Sequence, residues 1–80
     1  MTTQITNNEI IQTCLGFSSD LIKLPVENIW VDFDKEADVL YLSFRKPQRA
    51  KNTVETDDDV LIRTDGDQIV GITILNASSR

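Results

Sequence analysis

The sequence predicts an α+β domain in which an N-terminal helix packs on a four- to five-stranded antiparallel β-meander. Two changes of hydrophobic period carry that prediction. Up to Lys23 the apolar residues recur at helical spacing, and from Asn28 onward they alternate. Leu24-Pro25 separates the two regimes, and Asp-rich turns cut the second into strand-length pieces. The 80 residues are expected to form a single domain, with a helical extension over 7–24 and a sheet domain over 28–78.

The helix is predicted from about Asn7 to Lys23. Thr6 followed by Glu9 fits a capping box, and Ile10, Ile11, Cys14, Leu15, Leu21 and Ile22 fall on one side of a helical wheel. Gly16 costs about 1 kcal/mol relative to Ala, and Ser18-Ser19-Asp20 offers fresh caps, so a break near Gly16 is compatible with the sequence. Leu24-Pro25 ends the helix, because a residue before proline is pushed out of the helical region and proline has no amide hydrogen.

Ile29, Val31 and Phe33 alternate with Trp30, Asp32 and Asp34; after a turn at Lys35 to Asp38, Leu40, Leu42 and Phe44 alternate with Val39, Tyr41 and Ser43. These two strands form a hairpin. Arg45 to Asn52 is a polar loop containing Pro47, and Thr53 to Thr56 is a weak strand candidate. After a turn at Asp57-Asp58-Asp59, a strand from Val60 runs to Asp65-Gly66-Asp67, and Ile69 to Leu75 returns antiparallel. Asp-Gly there is a strong hairpin signal, read as a type I′ turn with positive φ at both central residues.

Alternation sorts the strands into two faces. One carries Val31, Phe33, Leu40, Leu42, Phe44, Val60, Ile62, Val70, Ile72 and Ile74, and is expected to take the helix. The other carries Trp30, Val39, Tyr41, Leu61, Ile69 and Leu75. Antiparallel sheets usually have one solvated face, so Trp30, Tyr41, Leu61 and Ile69 are the candidate interface with a second copy or a partner. A domain of this length buries only roughly 60 to 65% of its unfolded surface, which makes association a natural remedy for a thin core. A homodimer is expected.

Thirteen Asp and Glu against eight Lys and Arg give a net charge of −5, which disfavours nucleic acid unless the bases cluster. Four of them do: Arg45, Lys46, Arg49 and Lys51 are the candidate anion contacts, although without interleaved aromatics. The lone Cys14 has no disulfide partner in its own chain, and neither a second Cys nor any His to share a metal. It reads as a small apolar residue of the helix rather than a nucleophile. Met1-Thr2-Thr3-Gln4 carries no basic leader and no apolar run is long enough for a signal core or a membrane span. A soluble protein of the reducing cytoplasm is expected, with no membrane contact.

Phe33-Asp34-Lys35-Glu36-Ala37-Asp38-Val39-Leu40-Tyr41-Leu42 forms one motif. Val54-Glu55 with Gly66 and Val70-Gly71-Ile72-Thr73-Ile74-Leu75-Asn76-Ala77-Ser78 forms a second. Together they resemble the small prokaryotic family called domain of unknown function 2283, over about Ile29 to Ser78. The resemblance implies a compact antiparallel β domain with no assigned catalytic residues. It also implies an antitoxin-like role beside a small, toxin-like basic protein, an association drawn from gene neighbourhood. The helix lies outside the usual family span, and Thr73 stands where the family more often has Glu.

Asp32, Asp34, Glu36 and Asp38 alternate like the first ligands of a calcium loop, but Ala37 and Ser43 stand where an EF-hand needs Gly and Glu. Asp57-Asp58-Asp59 and Asp65 with Asp67 fall at opposite ends of one strand and form no convergent pair for acid and base catalysis. With no histidine and no phosphate loop among Gly16, Gly66 and Gly71, no catalytic residue, cofactor or metal ligand is assigned, and the chain is expected not to be an enzyme. Gly71 is expected to sit where a side chain such as Trp30 or Tyr41 crosses its strand. The leading expectation is a non-enzymatic protein-binding or dimerising module; the alternative is a small-ligand or divalent-metal site at the Asp32 to Asp38 turn.

Overall fold

The structure is a computed structural model that describes residues 6–80, so the reading of Met1 to Gln4 lies outside the described residues. Helix α1 spans Asn7–Ile22, and strands β1 (Trp30–Asp34), β2 (Val39–Ser43), β3 (Asn52–Glu55), β4 (Val60–Asp65) and β5 (Gln68–Leu75) follow, ending in a 3-10 turn at Ala77–Ser79. The α+β class is therefore as predicted.

The Thr6 hydroxyl accepts from the Glu9 amide at 3.1 Å, which supplies the first half of the capping box. The helix runs through Gly16 without a break. Its last turn tightens, with the Lys23 and Leu24 amides donating to Asp20 and Leu21 at 3.2 and 3.1 Å. The Val26 amide then donates to the Leu24 carbonyl at 2.8 Å, a three-residue turn around Pro25.

One expectation fails here. The helix does not cover the sheet: none of its residues is buried, and its apolar stripe is open, with Leu15 62% and Ile22 82% exposed. The turn at Pro25 stops the helix well before β1, and the link from Lys23 to Ile29 leaves it standing off the sheet it was expected to pack on.

The sheet is not a simple meander either. Its order is β1-β2-β5-β4-β3, and every pairing is antiparallel. The Arg45 to Lys51 loop carries the chain from β2 past two strand positions to the far edge, and β4 and then β5 fill the gap. A central strand has both edges hydrogen-bonded, and β5 suits that place: it is the longest strand, eight residues, and it holds Val70, only 1% exposed. Its entry is the turn Gly66-Asp67 between the paired residues Asp65 and Gln68. Gly66 has φ 63° and Asp67 does not share the positive sign, the pattern of a type II′ turn rather than the type I′ turn expected.

The two motifs that carried the family resemblance meet at one end of the sheet. Asp38, in the left-handed region at φ 55°, accepts from the Ser78 amide and hydroxyl at 3.0 and 2.7 Å, and its carbonyl accepts from Ala77. Such bonds seal the C-terminal turn against the β1–β2 loop.

Candidate functional site

The pairing register builds one face of the sheet from two apolar rows. The first is Val31, Leu42, Ile72, Ile62 and Val54, taken across all five strands. The second is Phe33, Leu40, Ile74 and Val60. Directly paired side chains share a face, so these nine form one patch without a charge in it. Nothing among the described residues buries it. Val31 and Val54 are each 55% exposed at the two edges, Phe33 is exposed, and the six side chains on the inner strands are half-buried. Val54 is the member that sequence reading missed, because it is the one apolar residue between Asn52, Thr53 and Glu55 and leaves β3 no alternation to read.

The reverse face is mixed. One row runs Asp32, Tyr41, Thr73, Leu61 and Glu55; another runs Trp30, Ser43, Gly71, Arg63 and Thr53. The candidate interface residues Trp30, Tyr41 and Leu61 therefore share this face, with Tyr41 exposed and the other two half-buried. Charged and hydroxyl groups interleave them. Ile69 is not brought into their rows: a register shift between Arg63 and Thr64 leaves Val70 without an opposite residue and sets Ile69 across from Thr64. Alternation along β4 puts Thr64 with Val60 and Ile62, on the apolar side.

Gln48 covers the middle of the reverse face. Its side-chain nitrogen donates to the Ser43 hydroxyl at 2.8 Å, and a Cβ added to Gly71 would lie only 2.1 Å from that nitrogen. Gly71 thus marks a close crossing, as expected, but the side chain that crosses is Gln48 and not Trp30 or Tyr41. Next to it Arg63 has its Nε buried with no hydrogen-bond partner.

The four clustered bases do line one concavity, of about 560 Å³, with Pro47 and Asp65. Two of them are already engaged. Arg45 donates to Asp65 at 3.0 Å and to the carbonyls of Gln48 and Arg49, and Lys51 lies 3.6 Å from the other Asp65 oxygen. The Arg45 hydrogen bond holds the Asp65 carboxyl below its ordinary value; partial burial opposes this, and the nearby charge of Lys51 adds to it. Arg45 thus ties the loop to the β4–β5 turn. Lys46 and Arg49 remain exposed at the rim.

The acidic turns have structural work of their own. Asp34 accepts from the Ala37 amide at 3.1 Å inside its turn, and Asp38 holds Ser78. Asp57, Asp58 and Asp59 lie at the far end of β4 from Asp65, with Asn76 donating to Asp59 at 3.3 Å and Arg80 donating to the Asp58 carbonyl. Among the described residues no group of three or more His, Cys, Asp or Glu stands close enough to hold a metal ion. Cys14 is exposed on the helix. Among the described residues no helix is long and apolar enough to cross a membrane.

Comparison with known families gives a match to the family described as "Protein of unknown function (DUF2283)", over residues 30–78. No curated protein and no solved structure matches the chain. The matched span starts with β1 and ends in the 3-10 turn, so α1 lies outside it.

Proposed function

The chain belongs to DUF2283, a family of proteins of unknown function, and from its own surfaces we propose that it is a non-enzymatic protein-association module. It would work in a reducing compartment, where its unpaired Cys14 stays a thiol. The observation that supports this reading is the charge-free patch of two cross-strand rows, open on one side of a single-layer sheet. Monomeric domains rarely leave a contiguous apolar patch of this kind in water, and an antiparallel sheet normally packs one face on a second layer. The mixed reverse face, with Asp32, Glu55 and Arg63 among its apolar residues, is the one suited to solvent.

This reading moves the interface from Trp30 and Tyr41 to the opposite side of the same strands. It is tested with Val31→Lys/Val54→Lys, which places charge at the two exposed ends of one row without disturbing the inner strands. The double variant is expected to keep its sheet signature by circular dichroism and to run as a single chain by light scattering. Tyr41→Asp, on the reverse face, is expected to leave the assembly as it was. Loss of association in Tyr41→Asp but not in the lysine variant would place the interface on the reverse face instead.

A further inference from the structure

Among the described residues the molecule carries two apolar surfaces that lack a cover, and they are complementary in kind. The sheet offers the flat patch of Val31, Leu42, Ile72, Ile62 and Val54 with its second row. The helix offers a stripe of Ile10, Ile11, Leu15 and Ile22, all exposed, with Phe17 on its margin. We propose that two copies of this chain exchange helices, each α1 lying across the apolar sheet face of the other copy. The proposal rests on the association reading and names the occupant of that face.

Dimensions agree. From Ile10 to Ile22 the stripe is about 18 Å long at 1.5 Å per residue. The row from Val31 on β1 to Val54 on β3 crosses the five strands in about 19 Å. The stripe carries no charge, and Glu9, Asp20 and Lys23 fall on the far side of the wheel.

The helix also needs a partner to exist. A stretch of 16 residues that includes Gly16, two Asn, two Ser and a Thr is marginal in water on propensity alone, and packing of an amphipathic face is what holds most protein helices. In this chain none of that face is buried. An exchanged protomer has the conformation observed, with the helix held off its own sheet beyond Pro25.

The exposed area is of the right size. The chain exposes 6563 Å². A folded monomer of 9.0 kDa is expected to expose about 4,850 Å². A stable complex buries about 800 Å² on each partner. A second copy can therefore account for about half of the excess.

The native thiol supplies the test, since Cys14 lies within the stripe. The unaltered full chain is refolded together with a chain carrying Cys14→Ser and Leu42→Cys, and the mixture is treated with a short bismaleimide. Exchange predicts a covalent product of twice the chain mass in the mixture, in excess over that from either chain alone. A single chain with both Cys14 and Leu42→Cys is likewise predicted to link between copies. Val31→Cys, on the exposed edge strand, repeats the measurement should Leu42→Cys fail to fold.

Two results overturn the exchange. Efficient linking of the Cys14→Ser, Leu42→Cys chain to itself means that two sheet faces stack, and association then stands without exchange. Closure of the two-thiol chain on itself at the mass of one copy means that the helix covers its own sheet. That outcome removes the association reading as well.

Discussion

At Gly71 the backbone of the central strand lies directly under the end of Gln48, and the Leu42 carbonyl is 3.1 Å from where a Cβ would stand. Gly71→Ala must displace that side chain and its bond to Ser43, and overpacking of this kind costs about 1 to 3 kcal/mol. In a Gln48→Ala background the same change is expected to cost less than half as much, as a double-mutant cycle by denaturant unfolding would show. Equal costs in the two backgrounds would place the strain at the Leu42 carbonyl instead. Asp65 gives a second residue-level outcome. Its folded-state value lies below the unfolded one, near 3.9, so its ion pair stabilises fully above that pH and is lost as pH falls through the lower folded value. Asp65→Asn should therefore lower the melting temperature at neutral pH, and the gap should close below about pH 4. A gap that stays constant into acid would mean that the Arg45 bond contributes through geometry alone. A glycine inside a strand pattern signalled the crossing at Gly71 but not its partner, and the Arg45–Asp65 contact had no signal, because Gln48 and Arg45 reach their partners only through the path of a polar loop.

Among elements, the strands were legible because period-2 alternation between Asp-rich turns has few other readings. The face that alternation assigned to Val31, Phe33, Leu40, Leu42, Val60, Ile62, Ile72 and Ile74 is the face that the register builds. What local pattern lacks is pairing between distant segments. The β2–β5 ladder joins Val39 to Leu75, and no turn residue encodes it. The bulge that moves Ile69 out of its expected row has the same origin, since alternation presumes an unbroken ladder. The helix was legible from Thr6 to Pro25, but its place was not: an apolar stripe states a need for burial without saying in which copy. Gly16 lies on the polar side of that helix, with no atom within 4 Å of an added Cβ. Gly16→Ala should stabilise the helix by about 1 kcal/mol and leave the assembly unchanged. A raised melting temperature with unaltered mass supports the assignment of the stripe, and dissociation would show that the glycine side faces the partner.

As a whole molecule the chain is long and open. Its radius of gyration is 14.5 Å, where a compact chain of 80 residues has about 11.6 Å. Only Val39, Val70 and Gly71 are buried among the described residues. A core of that size does not account for an independently stable domain, given the conformational entropy that folding must overcome. Covering the two apolar rows would give the sheet the second layer that antiparallel folds otherwise find within one chain. The patch was thus half legible: eight of its nine residues were placed together on one face, but as a core for the chain's own helix, while the interface was expected on the reverse face at Trp30, Tyr41, Leu61 and Ile69. The most direct measurement is the mass of the full chain by light scattering over a series of dilutions, beside Val31→Lys/Val54→Lys. Twice the chain mass, falling to one copy in the lysine variant, is the predicted result; a single copy at every concentration, with the sheet intact, would contradict it.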